Sequence, residues 1–294
     1  MMEKVIYTNT EGESIVFSNI PPFILSEKEG FDSVDNIITS ESGYQQDGES
    51  FVSHNLDVRN LTIGGTVLGK NKEEYIESRM ELIRVFNPKI AGKITYSNDI
   101  GNYEIDCIPE FLPKINEQDY QGSHRAKKFT LSLKALDPYF IDKSEIDAEI
   151  PMARIEPLFS FPLNITNTFE FAQLIAGDVI EIQNNGHVSV GAVFTIDVSG
   201  PLVNPRLYNV ITQDYFALKG TFMTGTKLRI STVRGKKKVE QDDGNGWYNI
   251  MTKRKVESKF LQIDRGINYL QLQADSGVKF TTSYIKFEPK ILGV

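Results

Sequence analysis

At 294 residues, 40% hydrophobic and 24% charged, the chain has the composition of a globular protein with room for two cores. Its single cysteine, Cys107, excludes an internal disulfide framework and a multi-cysteine zinc site, and no apolar run approaches the ~18 residues of a membrane span. The net charge of −7 is uneven: residues 1–150 hold 15 Lys+Arg against 26 Asp+Glu, net −11, and residues 151–294 hold 17 against 13, net +4.

That asymmetry predicts two units, 1–147 and 148–294, and argues against nucleic-acid clamping by the first, which would need clustered positive charge. The start, "MMEKVIYTNTEGE", lacks the basic and apolar regions of a secretory signal. A soluble protein made in a reducing compartment is expected, with Cys107 a buried apolar residue.

The elements are strand-like almost throughout. "VIYTNTEGESIVFS" reads as two β-rich runs around a Gly-containing turn, and "NDIGN" (98–102) separates "KITYS" from "YEIDCI" in the same way. "LTIGGTVLG" is a further strand-like run. In 71–89 the spacing of Tyr75, Ile76, Met80, Leu82, Ile83 and Phe86 predicts an amphipathic helix, with Asn71 and Glu74 forming a capping box and Asn87-Pro88 ending it. "FTLSLKAL" (129–136) alternates with period two. Residues 140–157, rich in charge and proline, mark the boundary. Beyond it, "TFEFAQLIA" (168–176) reads as strand and loop more than helix. "GHVSVG" (186–191) reads as a hairpin, and "ADSG" (274–277) separates "NYLQLQ" from "VKFTTSYIKF".

Several stretches imitate catalytic or binding motifs. Gly64, Gly69 and Lys70 have the spacing of a phosphate-binding loop, but Asn71 replaces the hydroxyl that would hold magnesium. Thr66, Val67 and Leu68 suit a strand better than a loop curled around phosphate, and a chain with one helix lacks the alternating β-α-β context. His54, His124 and His187 are far apart and not at metal spacing. Ser189 in "GHVSVG" has two residues before it where a nucleophile elbow has one. The pairs Asp242-Asp243 and Glu73-Glu74 are assigned to a turn and to a solvated helix face. The run 234–246, "RGKKKVEQDDGNG", reads as a solvated hairpin arm rather than an anion patch, because opposite charge follows at once. Trp247 and Tyr248 beside it are candidates for stacking on a sugar. No catalytic, cofactor-binding or metal-binding residue emerges.

The ordered set "YTNTEGESIVF", "YQQDGESFVSHNLDVRNLTIGGTVLG", "RMELIRVFNPKIAGKITYSNDIGNYEIDCIPEFLP" and "FTLSLKALDPYF" resembles the N-terminal domain of the phage distal tail protein family. "PLFSFPL", "NNGHVSVGAVFTIDVSGPLVNPRLYN", "GTKLRISTVRGKKKV" and "LQIDRGINYLQLQADSG" resemble its C-terminal domain. The resemblance implies a mainly β protein: an N-terminal β-barrel or sandwich ring domain with one α-helix, then a galectin-like β-sandwich. It implies a virion protein of the tail tip, made in the host bacterial cytoplasm and assembled as a homo-hexameric ring. Such a ring would contact the tail tube protein on one side and a tail-associated lysin or baseplate hub protein on the other, with a receptor-binding protein as a further partner. DNA would pass through it without specific binding, and no enzyme activity, cofactor or membrane insertion is implied. The alternative is a carbohydrate-binding adhesion module for host cell-wall sugars. In this reading Lys70 faces solvent or a neighbouring subunit.

Overall fold

Alternation of buried and exposed side chains decides many of the strands. Ala126–Ala135 buries Ala126, Phe129, Leu131, Leu133 and Ala135, and Val190–Val198 buries every second residue from Val190 to Val198. The computed structural model describes residues 3–116, 125–143, 149–157 and 172–294. They form two units, Met1–Glu145 joined by Ile291–Val294, and Ile146–Lys290. The last four residues therefore fold with the first unit, a return that the expected 148–294 division did not include.

In unit 1 the main sheet runs Ser14–Phe17, Lys4–Asn9, Gly92–Ser97, Asn102–Pro109, Ala126–Ala135, Arg59–Leu68, Phe23–Glu29, all antiparallel. Among the described residues its two ends meet only at an isolated bridge, Ser18 to Ile24, so the sheet curls without closing into a full barrel. The first expected hairpin is present, with Thr8 opposite Ser14. Asn9 shapes its turn by accepting the Glu11 and Glu13 amides at 3.1 and 2.9 Å. Asn98 does the same at "NDIGN", accepting from Ile100 and Gly101.

The helix spans Lys72–Val85, with Asn71 as N-cap accepting the Glu74 amide at 2.8 Å. Glu74 reaches back one residue beyond the N-cap, accepting the Lys70 amide at 2.7 Å, a variant of the expected capping box. The expected apolar stripe divides. Tyr75, Leu82, Val85 and Phe86 enter the core, while Ile76 and Met80 are exposed and Ile83 is half-buried. Those three lie four and three residues apart, so they form a second stripe that unit 1 does not cover.

Unit 2 is a sandwich around one core. One sheet runs Ile150–Pro151, Thr281–Phe287, Val190–Val198, Lys227–Ser231, Lys238–Asp242, Tyr248–Asn249, with Gln262–Ile263 beside Val190–Val198. The other runs Val179–Asn184, Gly266–Gln273, Arg206–Asn209, Tyr215–Ala217. Ile182, Leu270 and Leu272 from the second sheet join Phe194, Ile196, Ile230 and Ile285 from the first.

One expected connection differs. Residues 186–191 do not close a hairpin: Val179–Asn184 and Val190–Val198 lie in different sheets. Buried Asn184 makes this corner, donating to Val188 and Ile263 carbonyls and accepting the Gly186 amide. "ADSG" separates two strands as expected, Gly266–Gln273 and Thr281–Phe287, and these lie in different sheets. Gly277 has φ +90°, and a Cβ there would stand 2.0 Å from the Pro201 carbonyl oxygen, so glycine is required. In 168–176, Ala172–Ala176 is a strand, and 168–171 lie outside the described residues.

Candidate assembly surface

One element of unit 1 has no core to serve. Among the described residues, Asn36–Glu41 and Ser50–Leu56 pair only with each other, as a separate two-stranded sheet. Neither face of this ribbon is buried: Ile38 is 63% exposed, Phe51 66% and Tyr44 95%, and Ile37 and Val52 are exposed with them. Consecutive strand residues point to opposite faces, so Ile37 and Ile38, like Phe51 and Val52, put apolar side chains on both sides. A lone two-stranded ribbon is at best marginally stable in water. Burying a side chain of this size contributes about 1.5–3 kcal/mol, so this ribbon has much to gain from a partner surface. Residues 36–56 also contain three carboxylates, Glu41, Asp47 and Glu49, and no Lys or Arg.

The ribbon is rooted on Arg59, a side chain 1% exposed. Its guanidinium donates to the carbonyls of Gly30 (2.6 Å), Phe31 (3.3 Å) and Ser33 (2.9 Å), on the segment entering the ribbon. It also donates to Pro138 (2.7 Å) and to Leu292 of the returning C-terminus, and lies 5.0 Å from the Phe140 ring centroid. The Asp57 amide donates to the Asp35 carbonyl at 2.9 Å, closing the ribbon's base. Burial pulls the Arg59 pKa down, with the charge of Asp32 opposing. The acceptors are backbone carbonyls, so this charge serves as a five-donor fork that fixes three chain segments. Sequence reasoning missed both features. The available signals were two β-rich runs flanking "SGYQQDGE", and the parity of Arg59 with buried Leu61 and Ile63.

A second apolar region lies on the same unit. A shallow groove of about 390 Å³ is lined by Val16, Ile20, Pro21, Pro22, Phe23 and Glu81, with Val16 and Ile20 exposed. Glu81 comes from the helix whose outer stripe is Ile76 and Met80. Exposed apolar area of this kind marks interaction surfaces.

The motif lookalikes resolve into structure. Gly64 and Gly65 lie within the strand Arg59–Leu68, and a Cβ on Gly65 would meet the Ile24 carbonyl oxygen at 2.3 Å and the Phe129 ring at 2.6 Å. Gly69 lets the strand turn into the helix, its missing Cβ 2.5 Å from the Tyr75 nitrogen. The Lys70 side chain is 91% exposed and pairs with Glu74 at 3.8 Å. His54 lies on the ribbon beside Phe51, His187 donates its amide to the Lys290 carbonyl, and His124 lies outside the described residues.

The Ser189 hydroxyl bonds Asp264. Asp242 accepts the amides of Gly244 and Gly246, a turn staple. Among the described residues no group of His, Cys, Asp and Glu could hold a metal ion, and no helix is long and apolar enough to cross a membrane. Cys107 is buried, which pushes its thiol up to about 12. Trp247 is partly exposed, but the Arg229 guanidinium lies 3.9 Å from its ring centroid and occupies one face.

Comparison with known proteins matches this two-unit architecture. The family model for the phage tail protein RIFT-related domain matches residues 10–135, and that for the siphovirus-type tail component C-terminal domain matches 185–286. The chain belongs to the siphovirus distal tail protein family. Among solved structures, the Dit protein of phage SPP1 is similar over 97% of this chain and 98% of its own, with TM-score 0.69 and 13% identity. That protein is described as a paradigm of the hub adsorption apparatus of phages infecting Gram-positive bacteria. Chains of the activated phage p2 baseplate, with strontium or calcium, match over the full length of both chains at TM-score 0.51 and 10% or 9% identity. Identities this low carry the distal tail fold alone. No curated protein sequence matches.

Proposed function

We propose that this distal tail protein is a structural hub of the siphophage tail tip. Copies assemble through unit 1 into a ring, a homo-hexamer, at the end of the tail tube. The ring joins the tube protein to the tail-associated lysin or baseplate hub protein and to receptor-binding proteins, and it continues the channel for DNA. The acidic first half suits a conduit that repels the nucleic-acid backbone rather than gripping it. The protein acts without catalysis and resides in the virion.

The observation that carries the reading is the Asn36–Leu56 ribbon, apolar on both faces and uncovered in one copy. A monomer would leave that surface in water, whereas a neighbouring copy would bury it. The test is mass in solution, by light scattering across a concentration series, of the wild type and of the I38S/F51S variant. Rings are expected for the wild type and monomers for the variant. Losing two buried apolar side chains removes about 3–6 kcal/mol per contact, more than 100-fold in affinity. A variant that assembles as well as the wild type would sink the reading.

A further inference from the structure

In unit 2, folding brings together two basic runs that are separate in sequence. The first is the turn of the hairpin formed by Lys227–Ser231 and Lys238–Asp242, holding Arg234, Lys236 and Lys237, all exposed. The second is Arg254-Lys255, after the short 3-10 helix Met251–Lys253. They meet at Phe260. Lys237 Nζ lies 5.0 Å from its ring centroid and Arg254 Cζ 5.7 Å, while the ring packs on Phe216 at 5.0 Å.

The juxtaposition is built rather than incidental. Gln262 Nε2 donates to the Thr232 carbonyl at 3.2 Å and the Phe260 carbonyl at 3.3 Å, tying the start of the turn to the Phe260 segment. Thr232 is itself fully buried, sharing three hydrogen bonds with Ala192. On the other side, Arg254 Nη1 donates to Ser258 at 2.6 Å, and the Lys255 amide donates to Ala217 at 2.9 Å.

Neighbouring cations are neutralised: Arg229 and Lys238 lie near Glu240, and Lys259 pairs with Asp214 at 2.6 Å. Arg234, Lys236, Lys237, Arg254 and Lys255 have no carboxylate partner among the described residues. Lys237 and Arg254 thus share one ring, with Arg234, Lys236 and Lys255 next to them in the chain, and like charges held this close repel unless an anion joins them.

We propose that this face binds a linear phosphodiester polymer of a cell surface, of the polyol-phosphate type. Lys237 and Arg254 already cover Phe260, so the face offers fixed positive charge with little open aromatic surface, which suits an anion better than a neutral sugar. Arg presents paired N–H donors that fit phosphate oxygens, and the lysines add point charge. Carboxylates border the patch: Glu240 beside Lys238, Asp214 beside Lys259, and Glu257 two residues after Lys255. A duplex as broad as DNA would meet those carboxylates, whereas a single flexible chain can lie along the cations alone. The proposal stands on unit 2 and is independent of the ring.

The test uses the full chain and an immobilised glycerol-phosphate polymer, with neutral dextran, duplex DNA and polyglutamate as parallel arms. Binding to the glycerol-phosphate polymer is expected to weaken with salt at a slope near −3.5, about 0.7 per contact for five contacts. The R234Q/K236Q/K237Q variant changes only exposed turn residues; it should bind at least 10-fold more weakly, with the slope falling to about −1.4. R254Q reads the second run independently, and K89Q, in unit 1, should change nothing. The proposal is overturned by no binding at 50 mM salt, by variants that bind like the wild type, or by equal binding to duplex DNA, dextran or polyglutamate.

Discussion

Replacing Arg59 by methionine tests how the assembly ribbon is held. The substitution keeps an apolar stem and removes the donors that reach Gly30, Phe31, Ser33, Pro138 and Leu292. A hydrogen bond to a charged group contributes about 1.5–3 kcal/mol net, but removing the guanidinium also recovers its own desolvation cost. Taking about 1 kcal/mol for each of the five stranded carbonyls, less some rehydration at the surface, gives a loss of about 4 kcal/mol from unit 1. For a domain of this size each kcal/mol shifts Tm by roughly 2–4 °C, so the unit 1 transition should fall by about 8–16 °C. Calorimetry of the full chain reads that transition. Trp247, the only tryptophan, reports unit 2 by fluorescence and should melt where it did before. R59K keeps the charge without the fork and should recover only a minor part. A fall of less than about 3 °C, or one shared equally by the Trp247 transition, would refute the argument that Arg59 organises unit 1.

G65A should destabilise unit 1 by about 2–4 kcal/mol in urea unfolding, because its methyl has no space between the Ile24 carbonyl and Phe129. N71A should cost about 1 kcal/mol through the lost cap, and K70A under 0.5 kcal/mol; calorimetric titration of either variant or the wild type with Mg-ATP should give no heat. Cys107 should resist thiol reagents at pH 8 until the protein unfolds. Its folded pKa, about 12, exceeds the ordinary value of 9.0, so the native state holds a proton that the unfolded state releases above pH 9. Its stability contribution is therefore complete below pH 9 and declines as pH rises towards 12, a decline that C107V should flatten in pH-dependent urea titrations.

Much of the fold was legible because period-two burial writes itself into sequence. The alternation of Ala126–Ala135, the turns at Asn9 and Asn98, and the Asn71 cap all follow from local chemistry. What local pattern does not encode is a strand's partner. Val179–Asn184 and Val190–Val198 read like a hairpin, yet the corner set by Asn184 sends them into different sheets. The ribbon at 36–56 was missed for a related reason. Among the described residues its apolar side chains join no core cluster, so their burial is not fixed by the sheet they belong to. Ile76 and Met80 fit the core periodicity but face outward, because a helix with apolar residues over a wide arc does not say which side meets its own sheet. The 234–246 run reads as a solvated hairpin arm, and only the tertiary approach of Lys237 and Arg254 to Phe260 joins it to a second basic run.

The central claim is that this chain is a ring-forming hub of the tail tip, and electron microscopy of purified protein and intact tails tests it most directly. The account predicts annuli with an open centre, located at the tail tip, with the 36–56 ribbon of each copy covered by its neighbour. Intact tails that lack the protein at the tip, or annuli in which the ribbon projects uncovered into solvent, would contradict it.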